Sequence, residues 1–145
     1  MYSVRNRGTA RIRGFEVEGQ ANLGAGVSLE LATQVADGRA LNDHAHLDDI
    51  SPVDLSVVLR KQFGERAFGQ TRVAYFSDDN NFGPTERAVP GYTMLDTAAG
   101  YRVAKAVELR LQVRNLLDQE YYASQDVRTV FAPGRSASLV ASLKF

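Results

Sequence analysis

The last eleven residues alternate between apolar and polar. Ala137, Leu139, Ala141, Leu143 and Phe145 fall on one side of an extended backbone, and Ser136, Ser138, Val140, Ser142 and Lys144 on the other, because successive strand side chains point to opposite faces. The cleanest repeat of this pattern is at residues 107–114, where Val107, Leu109, Leu111 and Val113 oppose Glu108, Arg110, Gln112 and Arg114. Residues 27–35 set Val27, Leu29, Leu31, Thr33 and Val35 against Ser28, Glu30, Ala32 and Gln34. Residues 53–61 set Val53, Leu55, Val57 and Leu59 against Asp54, Ser56, Val58 and Arg60. Two weaker stretches, 69–77 and 92–101, carry Thr71, Val73 and Tyr75, then Thr93, Leu95, Thr97, Ala99 and Tyr101, on one face. Helical periodicity is hard to find over any useful window, so the chain is predicted to be all-β.

A further strand is predicted at about residues 10–20, but its phase changes. Ile12 has one parity, and Phe15 and Val17 have the other. A bulge at Gly14 would shift the phase by one residue and put all three on one face.

The connections also alternate in length. Ala21–Gly26, Phe63–Ala67 and Arg102–Ala106 are short enough for hairpin turns. Asp37–Pro52, Asp78–Gly91 and Asn115–Gly134 are long and rich in Asp, Asn, Gly, Pro and His. In an up-and-down meander, consecutive connections lie at opposite ends, so the short turns share one rim and the long loops the other. That asymmetry is characteristic of transmembrane barrels. The predicted strands are close to the roughly 9–11 residues that cross a bilayer at a tilt. Their polar faces carry charges of both signs (Asp96, Glu108, Arg110, Arg114, Arg135), as suits a wet lumen wall.

Local alternation alone also fits a soluble β-sandwich or small barrel, with the aliphatic face as its core. A third reading is a truncated gene product that never assembles. Seven strands is an odd number, whereas single-chain bacterial barrels have even counts. The expectation is therefore a C-terminal portion, residues 1–145, of a larger barrel. Met1–Gly8 shows neither the apolar stretch nor the cleavage site of a secretory signal, so the rest of such a protein is expected upstream.

Composition narrows the function. Seventeen basic and seventeen acidic residues cancel, so no basic field points to a nucleic-acid partner. No apolar run approaches the about 18 residues of a membrane-spanning helix. With no cysteine there is no disulfide, thiolate metal site or cysteine nucleophile. No nucleophile, base and orienter come together, so no enzyme and no cofactor are expected.

His44-Ala-His46, with Asp43, Asp48 and Asp49, is read as a solvated polar loop rather than a metal site. Asp78-Asp-Asn-Asn81 is read as a polar turn tip, since it lacks the spacing of a calcium loop. Gly24-Ala-Gly26 is a turn and not a phosphate cradle. Tyr121 and Tyr122 either anchor at the membrane interface or stack on an aromatic ligand. Arg128 and Arg135 either attract an anionic iron chelate or pair with Asp126 or Glu120.

Several of these stretches together resemble the C-terminal end of TonB-dependent outer-membrane receptors. They are Asn6–Glu18 with its Gly-x-Glu core, Pro90–Asp96, Val113–Tyr122 with Asn115-Leu-Leu-Asp118, and Pro133–Ser136 followed by the terminal Phe145. The resemblance implies about the last seven strands of a 22-stranded barrel that encloses an N-terminal plug. It implies energy-coupled uptake of a scarce, large ligand, most often a ferric siderophore, with cobalamin or haem as competitors. It also implies outer-membrane lipid against the aliphatic face, and Phe145 as the signal read by the barrel-assembly machinery.

Overall fold

The computed structural model describes residues 8–144 and holds seven strands. These are β1 (Ala10–Gly24), β2 (Val27–Ala40), β3 (Asp54–Phe63), β4 (Ala67–Phe76), β5 (Tyr92–Ala104), β6 (Val107–Arg114) and β7 (Ser136–Leu143). They form one antiparallel sheet in sequence order. All seven predicted strands are present, and the meander is as expected.

The register joins the alternating faces of single strands into continuous surfaces. On the outward side Leu31 pairs with Val57, Val57 with Val73, and Val73 with Leu95. Farther along, Thr97 pairs with Val113 and Leu111 with Leu139. On the inward side Glu30 pairs with Val58, Val58 with Arg72, and Arg72 with Asp96. A slip of one residue would exchange the two surfaces.

The described residues form a single layer, and nothing covers the aliphatic face. Leu111 is 50% exposed and Leu139 is 70% exposed. A sandwich would bury these side chains under a second sheet, so that alternative fails. Burying a leucine is worth roughly 1.5–3 kcal/mol, and for this face hydrocarbon supplies the apolar surroundings.

Aromatic side chains mark both edges of the apolar band. Phe15 and Tyr75 stand on the outward face toward the long loops, and Phe63 and Tyr101 toward the short turns. On β4, Tyr75 and Ala67, which pairs with both Phe63 and Tyr101, are eight residues apart. That is roughly 26 Å along a strand and about 20 Å across a membrane at a tilt near 40°. The band is close to the ~25 Å expected of an outer-membrane barrel. Lys61, also outward, donates its ammonium to the Ala25 carbonyl at the short-turn rim, and so carries its charge out of the hydrocarbon.

The first hairpin corrects two expectations. β1 continues to Gly24, leaving only Ala25 and Gly26 in the turn, with φ of 48° and 75°; positive φ at both positions is what a two-residue turn requires. There is no bulge at Gly14. Pairing with β2 is unbroken from Ala10–Ala40 to Asn22–Ser28, and the shift comes between Asn22 and Gly24. Gly14 is instead a close approach, because a Cβ there would overlap the Val35 carbonyl oxygen. Ile12 therefore faces inward opposite Gly38, while Phe15 and Val17 face lipid. It lies at the long-loop end of the sheet, where Leu47 and Ile50 cover Gly38.

The lumen wall is polar but packed. Phe68 lies over Gly100, where any Cβ would overlap its ring. Arg60 and Arg110 sit 3.8 and 5.3 Å from the ring centroid, a cation–π geometry. Arg110 also pairs with Glu108 at 3.7 Å, and Arg72 with Asp96 at 3.9 Å.

Candidate functional site

At one rim the connections are two or three residues long, and at the other they span residues 41–53, 77–91 and 115–135. The three long loops fasten to one another mainly around one dipeptide, Glu86-Arg87. Glu86 accepts the Asp49 and Gly83 amides at 2.8 and 2.9 Å, which binds the second loop to the first. Arg87 exchanges with the third loop, its amide donating to Gln125 O and its guanidinium to Thr129 O, both at 3.0 Å. The Arg87 guanidinium also rests 4.2 Å from the Tyr122 ring centroid. Thr85 N donates to Asp48 Oδ1 at 3.0 Å and adds a second tie to the first loop.

The base of the second loop is closed by its own carboxylates. Asp79 and Val89 exchange backbone hydrogen bonds, Asp79 Oδ1 accepts the Asn81 amide, and Asp78 Oδ1 accepts the Gly91 amide at 2.7 Å. Asp79 is buried, so this stretch is the neck of the loop and not its polar tip.

The third loop leaves the sheet through Asn115, which is 1% exposed and has a φ of 50°. Its amide donates to Asp96 Oδ1, its Oδ1 accepts the Gln119 amide, and its Nδ2 donates to Gln119 O, all at 2.9 Å. Asparagine is among the few residues that enter the left-handed region readily. It ends β6 and starts the loop with both side-chain groups satisfied.

Beneath the tied loops, the inward ends of β2–β5 and all three loops enclose a pocket of about 260 Å³. Its wall includes Asp49, Asp54, Glu86, Tyr92, Tyr122 and Gln125. Phe76, Tyr92 and Tyr121 stack in series with centroids 4.6 and 4.3 Å apart, and Tyr122 stacks on Phe131 at 4.4 Å. Gln125 is 7% exposed and its Nε2 has no acceptor among the described residues.

The predicted site residues divide between these environments. Tyr121 belongs to the inward stack and lines the broader lumen hollow beside the pocket, so it is not in the lipid belt. Tyr122 lines the rim pocket. Arg128 pairs with Asp126 at 3.3 Å, with its side chain 88% exposed; side-chain and backbone hydrogen bonds from Arg128 hold the Asp126 carboxyl below its ordinary range. Arg135 pairs with Asp118 at 3.5 Å, and not with Glu120. His46 Nδ1 lies 4.0 Å from Asp37, and no group of three or more metal-binding side chains occurs among the described residues. Phe145 lies outside the described residues, as do residues 1–7. Sequence reasoning missed Glu86, Arg87 and Gln125, which lie in loops where no periodicity marks them.

A single-layer antiparallel meander, apolar outside and polar inside, with aromatic belts and loops at one rim, defines a wall of a transmembrane β-barrel. The family model described as TonB dependent receptor-like, beta-barrel matches residues 1–116. The chain therefore belongs to the TonB-dependent receptors, outer-membrane β-barrel proteins of Gram-negative bacteria, and the outer membrane is its location. The probable TonB-dependent receptor BfrD of Bordetella pertussis is 34% identical over 95 residues, covering 63% of this chain and 12% of that protein. The solved copper transporter OprC superposes with a TM-score of 0.82 at 21% identity, over 94% of this chain and 24% of that one. The siderophore receptor PiuA from Acinetobacter baumannii gives 0.74 at 18% identity, over 94% and 22%. At these identities the structures establish the fold alone. The chain spans only a fraction, a quarter at most, of the length of each of these proteins.

Proposed function

We propose that the chain forms the C-terminal wall, with about the last seven strands, of a receptor for energy-coupled uptake of a ferric siderophore-like ligand. The plug and the remaining strands complete the transporter. The rim pocket carries this reading: three long loops tied by Glu86 and Arg87 fold over the lumen face and leave an aromatic-lined seat. In this role Tyr121 offers the ring face turned away from Tyr92, Tyr122 offers its ring edge and hydroxyl, and Arg128 is the exposed cation at the loop surface. The outward face sits in outer-membrane lipid, and Phe145 is the signal for the barrel-assembly machinery. Kinship with receptors and transporters supports a transport role rather than catalysis.

The test is uptake of radiolabelled ferric siderophores by cells in which the gene encoding the chain is deleted and then restored. Restoration should recover uptake of at least one siderophore, and recovery should vanish when the energy-coupling system is inactive. Uptake that is indifferent to the gene for every siderophore, with cobalamin or haem uptake restored instead, would reject the ligand class.

A further inference from the structure

We infer that the rim pocket accepts an uncharged or cationic iron chelate of the hydroxamate kind and turns away polyanionic, catecholate-type chelates. This rests on the receptor reading above and specifies its substrate class. Asp49, Asp54 and Glu86 stand in the pocket wall, and among the described residues no lysine, arginine or histidine does. The three long loops together carry nine acidic and three basic residues, a net charge of −6 with histidine neutral. Each of those three arginines has a partner, although Arg87 Nε is buried without one. Arg87 is held by Thr129 O and the Tyr122 ring, Arg128 by Asp126 and Arg135 by Asp118.

Chelate chemistry sets the choice. Three hydroxamates release one proton each and cancel the charge of ferric iron. Three catecholates release two protons each and leave a triple negative charge. The pocket wall suits the first kind, because Phe76, Tyr92 and Tyr122 give it apolar surface that an uncharged chelate can cover. For the second kind, a carboxylate about 10 Å from a triple negative charge in water weakens binding by about two-fold at 0.1 M salt, and by about four-fold at 0.01 M.

The experiment compares a ferric tris-hydroxamate and a ferric tris-catecholate as probes. Cells express the chain in its native genetic setting, either unaltered or with Asp49→Asn and Asp54→Asn together. Asparagine keeps the size of each side chain and tolerates the φ of 63° at Asp49. The unaltered receptor should bind the hydroxamate more tightly. The double variant should bind the catecholate about four-fold better at 0.1 M salt, and still more at low salt, and so narrow the preference for the hydroxamate. Preference of the unaltered receptor for the catecholate, or catecholate binding unmoved by the double variant, would overturn this inference while leaving the receptor reading intact. Failure of the unaltered receptor to bind either chelate would overturn the receptor reading, and this inference with it.

Discussion

Asn115→Ala is the substitution whose cost the structure specifies most closely. It removes two side-chain hydrogen bonds of 2.9 Å at a residue 1% exposed, and strands the amide and carbonyl of Gln119. Each bond is worth about 1 kcal/mol net. Alanine must also hold a φ of 50°, at a cost of about 1 kcal/mol. The total is about 3 kcal/mol. The bond from the Asn115 amide to Asp96 survives the change, so β6 itself stays paired. Asn115→Gly removes the left-handed strain and should recover about 1 kcal/mol of the loss. Urea unfolding of the barrel in phospholipid vesicles, followed by far-ultraviolet circular dichroism, measures both variants. An Asn115→Ala barrel within about 0.5 kcal/mol of the parent, or a glycine variant no better than the alanine one, would refute the reasoning.

Other residues give further expectations. Leu111→Arg puts a charge in the lipid face and should cost roughly 2–4 kcal/mol, whereas Gln112→Arg, one residue on and inward, should cost almost nothing; vesicle unfolding separates them. Glu86→Ala frees the Asp49 and Gly83 amides, and Arg87→Ala removes a donor to Thr129 and the cation over Tyr122. Each should speed limited proteolysis in the long loops while leaving strand content unchanged. Hydrogen bonds from Arg128 lower the Asp126 carboxyl from its ordinary value of 3.8, so the contact stabilises the loop above that pH and is lost as pH falls through the lowered value. In an NMR titration the Asp126 carboxyl should titrate below 3.8, and Arg128→Ala, which keeps the backbone bond, should raise it toward that value.

The sheet was legible in the sequence because its two faces meet different media. Leu109, Leu111 and Val113 could not exchange places with Arg110 and Gln112 without putting charge in hydrocarbon, so the alternation fixes orientation as well as strand existence. Loop-length parity then fixes which rim is which. The mistake at Gly14 has a physical source. Apolar residues must face lipid only within the membrane, and β1 and β2 run beyond it at the long-loop end, where Ile12 is under no such constraint. The site was less legible. Tyr121, Tyr122 and Arg128 stand out by residue type, yet the dipeptide that unites the loops, Glu86-Arg87, acts through backbone amides and carbonyls 37 to 42 residues away. No local pattern encodes such contacts. Asn115 lies between these extremes: its place at a strand end was visible in Asn115-Leu-Leu-Asp118, but its burial and its left-handed backbone were not.

The central claim is that odd-numbered residues of β6 face lipid and even-numbered ones face the lumen. The chain has no cysteine, so single cysteines at 109, 110, 111 and 112 can each carry one spin label in the folded barrel in vesicles. Collision rates with oxygen, which partitions into hydrocarbon, and with a water-soluble nickel chelate then report the medium at each position. The account predicts high oxygen and low nickel accessibility at 109 and 111, and the reverse at 110 and 112. Equal accessibility at all four positions, or apolar positions shielded from both probes as in a protein core, would contradict it.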